Sequence, residues 1–216
     1  MQADLPTVYL STAYLAPVEY YMQMLAFPQV VIEKHCNYVK QTYRNRCVIA
    51  SANGQQTLSI PVEKPETTKC LTKDIRIAEH GNWRHLHWIA IKSAYNSTPF
   101  FEYYEDDFVK FYERRYDFLF DFNESLRILI TSLLDIEPQV VYSSEYKTDF
   151  LPNETDHREA IHPKKKTVIN LKPYYQVFES KFGFQPNLSI IDLLFNMGTE
   201  SILFLQPKHI TFVKYY

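Results

Sequence analysis

Glycine is scarce in this 216-residue chain, with 4 in all. A backbone wraps tightly around a phosphate only where glycine allows it, and neither a G-x-G-x-x-G nor a P-loop pattern occurs. Cysteine is almost as rare. Cys36, Cys47 and Cys70 are odd in number and lack C-x-x-C spacing, which argues against a disulfide framework and against structural zinc. There is no basic excess either: the formal net charge is -2, whereas general nucleic-acid binding needs a broad positive surface. No apolar run approaches the roughly 20 residues that span a bilayer. The opening Met-Gln-Ala-Asp-Leu-Pro lacks the basic start and apolar stretch of a signal peptide. These absences predict a cytoplasmic protein without nucleic-acid partner, transmembrane segment, metal or cofactor.

Aromatic and apolar residues are plentiful: 17 Tyr, 15 Phe and 46% hydrophobic residues overall. That is ample for a core without covalent staples, and residues 1–216 are expected to form a single domain. Thr7 to Leu10 has the β-branched and aromatic character of a strand. Pro17 suits the first turn of a helix through Ala26, Pro28 breaks it, and Val30 to Glu33 returns to strand. This β-α-β opening predicts two parallel strands. Asn53-Gly54 between Arg46–Ala50 and Thr57–Val62 predicts a hairpin.

Pro65 to Lys73 is expected as a surface loop and Asp74 to Ala78 as a short strand. Asn82 is placed to cap a helix from Trp83 to about Tyr95, and Thr98-Pro99 to open a second carrying Phe101, Phe108 and Phe111. Leu126, Leu129, Ile130, Leu133 and Leu134 form the stripe of a third. Val140 to Tyr142 suggests a last strand, and about 146–172 a long mobile loop. Asn187 to Gly198 closes as a short helix. The expected fold class is α/β or α+β, a mixed sheet from the N-terminal third covered by central and C-terminal helices.

Glu33 to Arg46 crowds charged, imidazole and amide groups between two apolar strands, where each must find a partner or stay in water. If the strand runs past Glu33, alternation puts Glu33, His35 and Asn37 on one face. A carboxylate beside an imidazole raises its pKa and fixes its tautomer, as a general base needs. The alternative is a surface pair at a strand end, worth ~0–1 kcal/mol. Arg44 and Arg46 carry planar forks that match phosphate or carboxylate, or that pair with internal acids such as Asp74 or Asp192. His85 and His87, two apart on a helix, cannot readily share a metal. His85 aligns with Trp88, Lys92 and Tyr95 on a stripe suited to a cleft, and His87 with core residues. Ser189 to Asp192 fits a capping box, although a helix start also attracts anions. His162-Pro163 and the lysines after it form either a solvated charge run or a loop closing on an anion.

Several segments carry a family resemblance in order along the chain. They are Tyr14-Leu15-Ala16-Pro17, Val31-Ile32-Glu33 through Tyr38, Tyr43-Arg44-Asn45-Arg46, and Asn53-Gly54 with Leu58-Ser59-Ile60-Pro61-Val62. Trp83-Arg84-His85, Tyr95-Asn96-Ser97-Thr98-Pro99-Phe100 and Ser189-Ile190-Ile191-Asp192-Leu193-Leu194-Phe195 complete the set. Together they resemble the WbqC-like family of bacterial proteins, whose members are associated with genes for O-antigen, capsule and other surface polysaccharides. The family's paired acids and Gln near the end of the second strand are replaced here by Lys34, His35 and Asn37, so no role resting on those acids carries over. The Glu-x-His-x-Asn-Tyr form resembles a Bacteroidetes-type variant.

The resemblance, joined to the group chemistry, implies an enzyme of surface-polysaccharide biosynthesis. It would act on a nucleotide- or lipid-linked sugar by acyl, aminoacyl or glycosyl transfer. His35 is then the base and Glu33 its orienter. Asn37, Tyr38, Tyr43, Arg44, Asn45, Arg46, His85 and Tyr95 are the substrate contacts, with a nucleotide-sugar or phosphorylated sugar as ligand. The alternative is a non-catalytic scaffold subunit working with glycan-assembly enzymes.

Overall fold

A computed structural model of the chain describes residues 5–64, 69–167, 169 and 171–206. Its centre is a four-stranded, all-parallel sheet. β1 (Thr7–Ser11) is followed by α1 (Val18–Ala26) and β2 (Gln29–Glu33), which pairs with β1 from Thr7↔Gln29 to Ser11↔Glu33. Val8, Leu10, Val30 and Ile32 are all fully buried, as parallel strands covered on both faces require. A hairpin of β3 (Arg46–Ser51) and β4 (Gly54–Ser59) forms a separate two-stranded sheet. Gly54 has φ +103, a conformation that favours glycine at such a turn.

The middle of the chain supplies α2 (Trp83–Tyr95), α3 (Phe101–Glu113) and α4 (Leu119–Leu133) before the chain returns to the sheet. β5 (Val140–Tyr142) pairs with β2, and β6 (Glu154–Asp156) pairs with β1, giving the order β5-β2-β1-β6. Short helices α5 (Glu179–Phe182), α6 (Ile190–Met197) and α7 (Ile202–Leu205) follow. The α/β class expected from sequence is the class observed. The strands divide into two sheets, and half of the larger one comes from beyond residue 139.

The aromatic surplus is largely core. Tyr95, Phe101, Tyr104 and Phe108 pack around Phe195, with ring centroids 5.2–6.3 Å away. Tyr14, Trp83, Phe111, Tyr112 and Tyr116 surround Phe122 in the same way. His87 is the core histidine that was expected. Its Nδ1 meets the Tyr14 hydroxyl at 3.0 Å, and burial lowers its pKa to about 4.

Several local expectations are corrected. Asp74 ends a 3-10 turn, Thr72–Asp74, and among the described residues 75–78 make only the isolated bridges Arg76↔Phe118 and Val62↔Ile77. Asn82 stands before α2 in the left-handed region and makes no side-chain cap. Thr98 Oγ donates to the Tyr95 carbonyl, and α3 begins three residues later. The 146–172 segment holds β6, a strand built of Glu, Thr and Asp at the sheet edge. Residues 65–68 of the expected surface loop, and 168 and 170 of the 146–172 segment, lie outside the described residues.

The capping box at Ser189 and Asp192 is also absent. Ser189 Oγ donates to the Leu15 carbonyl, so the start of α6 is bolted to the chain between β1 and α1. Asp192 points inward at 0% exposure and takes hydrogen bonds from Tyr174 Oη and Gln176 Nε2, both 2.7 Å. Burial raises its pKa to about 6.

Candidate functional site

All four strands of the larger sheet end on the same edge, and polar residues collect there: Ser11 ending β1 and Thr12 beyond it, Glu33 ending β2, Ser143 after β5, and Asp156 ending β6 with His157 to Glu159 beyond it. The chain leaves β1 toward β2 on one side, while β6 lies on the other. Such a switch point opens a crevice at the carboxyl ends of the strands, where ligands of open parallel sheets bind. A pocket sits at this place, lined by Ser11 to Ala13, Tyr20, Thr42 to Arg44, His157 to Glu159, Ile161 and His162. It is tight, with about 10 Å³ free, room for about one water.

Two arginines dominate the edge. Arg158 is 5% exposed and firmly held: Nε and Nη2 clasp Asp156 at 2.8 Å each, Nη1 meets Glu33 at 3.2 Å, and Nη2 also reaches the Lys147 carbonyl. Tyr146 and Phe150 lie against its guanidinium. Burial works against that charge, yet Asp156, Tyr146 and Glu33 hold its pKa above the ordinary value. Arg44, 2% exposed, is held differently. Its Nη2 contacts Ser11 Oγ at 2.8 Å, Cys36 Sγ at 3.7 Å and one oxygen of Glu159 at 2.6 Å, while its buried Nε has no partner among the described residues.

His162 completes the wall. Its Nδ1 accepts the Lys164 backbone N–H, which leaves the proton of the neutral ring on Nε2 as a donor. Burial lowers its pKa, opposed by Glu159 and assisted by Lys165, Lys164 and Arg44, so the ring is neutral near pH 7. Behind the pocket, Tyr20 donates to the Ser11 carbonyl, and a buried Glu124–Arg127 ion pair of 2.7 Å stands on α4.

The residues singled out in the sequence are distributed unevenly about this pocket. Tyr43 and Arg44 line it. Glu33 is fully buried and joins it only through Arg158; its carboxylate also accepts Ser143 Oγ and the His35 backbone N–H at 2.6 Å. The strand ends at Glu33, so the face shared by Glu33, His35 and Asn37 does not form. Glu33 orients the His35 backbone, and the ring makes no hydrogen bond among the described residues. Asn37 is exposed, its backbone bridged to Leu71.

Tyr38 lies within electrostatic reach of Arg44 and Arg46. Its buried hydroxyl has no partner among the described residues, and burial pushes its pKa up to about 12 against the pull of both arginines. Arg46 opens β3, opposite Ser59, and pairs with no carboxylate among the described residues. Asn45 braces the hairpin through the Ile60 carbonyl. His85 lies on a different, wider groove with Asn82, Arg84, Trp88 and Glu113, about 260 Å³ in volume. Tyr95 is fully buried, and its hydroxyl accepts the Ala50 N–H.

Sequence reasoning missed Ser11, Arg158 and Glu159. The one available signal was the charge cluster Asp156-His157-Arg158-Glu159, which has the composition of a solvated loop. A third groove, beside Met24, Phe27 and Pro138, is larger still at about 420 Å³. Size favours the two open grooves. Convergent buried charge favours the carboxyl edge, and charge is the stronger indication of a built site.

Among the described residues, no helix is long and apolar enough to cross a membrane. No solved structure matches the chain. A relative in Mycobacterium tuberculosis, bearing the name "Uncharacterized protein Rv1507c", is 25% identical over 207 residues, covering 84% of this chain and 89% of that protein. Residues 12–161, which include Arg44 and the Arg158–Glu159 segment, match the WbqC-like protein family, and the chain belongs to that family.

Proposed function

We propose that the chain is a single-domain cytoplasmic enzyme of surface-polysaccharide assembly, acting on a nucleotide-linked or lipid-linked sugar. Acyl, aminoacyl or glycosyl transfer is the reaction class. The family resemblance is what supports the glycan setting, its O-antigen or capsule context and the Bacteroidetes-type assignment. The observation that supports this binding site is Arg44, a buried guanidinium with an unused Nε, which lines the carboxyl-edge pocket beside Ser11 and His162. A fixed fork in a desolvated wall suits a phosphoryl or carboxylate group. His162 presents an N–H to such a group, and Tyr43 flanks it. In this reading Glu33 positions Arg158, while His35, Asn37, Tyr38 and Arg46 are not part of the pocket lining.

The rival reading is a non-catalytic subunit held against glycan-assembly enzymes. It draws on the apolar groove beside Met24, Leu25, Phe27 and Pro28. Calorimetric titration of a nucleotide-sugar panel into wild type and Arg44→Lys separates the two. The enzyme reading expects one member to bind wild type and to weaken at least about tenfold on Arg44→Lys, which keeps the charge but loses the fork. Thermal melts establish that the variant is folded. Absence of binding by every member counts for the scaffold.

A further inference from the structure

The two arginines of the carboxyl edge are neutralised in different ways. Arg158 is clasped by two oxygens of Asp156 and a third from the fully buried Glu33. Those contacts tie β2, β6 and the 146–150 segment together, and nothing about them suggests exchange. Arg44 is met by one carboxylate oxygen, from Glu159, whose side chain is 56% exposed while that of Arg44 is 2% exposed. The second Glu159 oxygen makes no hydrogen bond among the described residues. Glu159 is anchored instead through its backbone, whose carbonyl accepts Lys165 Nζ at 2.8 Å.

A buried guanidinium without a counter-ion is costly, so the protein needs an anion there at all times. A carboxylate on a half-exposed side chain can supply it and can return to water when a better anion arrives. Arg44 retains an unpartnered Nε, and a ligand offering two oxygens would engage the fork more fully than Glu159 does. The pocket is also filled to about one water's volume with Glu159 in place, so a ligand must displace something to enter.

We infer that the Glu159 carboxylate is an internal occupant of an oxyanion seat on Arg44, and that the ligand of this pocket carries a carboxylate or phosphoryl group that replaces it. The inference rests on the reading of the carboxyl-edge pocket as the binding site. It adds the chemistry of the ligand's anchoring group and makes Glu159 its competitor.

The test is calorimetric titration of inorganic pyrophosphate, and separately of malonate, into wild type, Glu159→Gln and Glu145→Gln. Glu145 is an exposed carboxylate outside the pocket lining and controls for the general loss of a negative charge. Glu159→Gln should tighten one of the two anions by about tenfold, and the anion that responds identifies the source chemistry. Glu145→Gln should stay within about twofold of wild type. No binding by Glu159→Gln, equal affinity in wild type and Glu159→Gln, or an equal gain in Glu145→Gln overturns the inference. If nucleotide-sugars fail but pyrophosphate tightens on Glu159→Gln, the seat stands and the sugar reading falls. A nucleotide-sugar that binds both proteins equally keeps the function and removes the displacement.

Discussion

Arg158 and Glu33 are separated by 125 residues in the chain and by one hydrogen bond in the fold. That separation explains why the sequence points Glu33 at its neighbour His35, when its carboxylate is used by Arg158, Ser143 and a backbone N–H. Residue chemistry was legible: a carboxylate and guanidiniums in an apolar frame had to be partnered. The partners were not legible, because they are supplied by a segment whose composition resembles solvated loop. Glu33 is fully buried, so deleting its cation leaves a carboxylate with no counter-charge. Arg158→Met is expected to cost about 3–5 kcal/mol of unfolding free energy, read from urea denaturation. Adding Glu33→Gln to that variant should recover part of the loss, since the stranded charge goes with it. Additive losses in the double variant would show that the two side chains do not act as a pair.

At the scale of elements, the β-α-β opening, the hairpin and α4 were readable because each is specified by its own residues: Pro17 and Pro28 as boundaries, Asn53-Gly54 as a turn, leucines at helical spacing. β6 was not. Three polar residues become a strand only because β1 offers an edge to pair with, and short polar strands are how sheet edges are commonly ended. The start of α6 failed for a similar reason. Ser189 and Asp192 have cap spacing, but tertiary partners at Leu15, Tyr174 and Gln176 claim both side chains.

Asp192 then carries a pH signature. Burial raises its folded pKa to about 6 from an ordinary 3.8, so the folded state holds this proton more tightly than the unfolded state. Its contribution is fully present below about pH 4 and is lost as pH rises through about 6, a change of roughly 3 kcal/mol. Relative to Asp192→Asn, wild type should therefore lose stability between pH 4 and pH 7 in denaturant titrations. Parallel stability curves for the two proteins would contradict a raised Asp192.

At the scale of the molecule, the division of labour follows from the parallel sheet. Aromatic hubs around Phe195 and Phe122 fill the interior, and the polar residues left over gather where the strands end. On the proposed reading, the ligand enters at that carboxyl edge and not at the wider grooves. Hydrogen exchange on the full chain, with and without the tightest member of the nucleotide-sugar panel at saturation, tests it most directly. New protection is expected at residues 11–13, 42–44 and 157–162 alone. Protection at the groove around His85 and Trp88 or beside Met24 and Phe27, with the carboxyl edge unchanged, would contradict it.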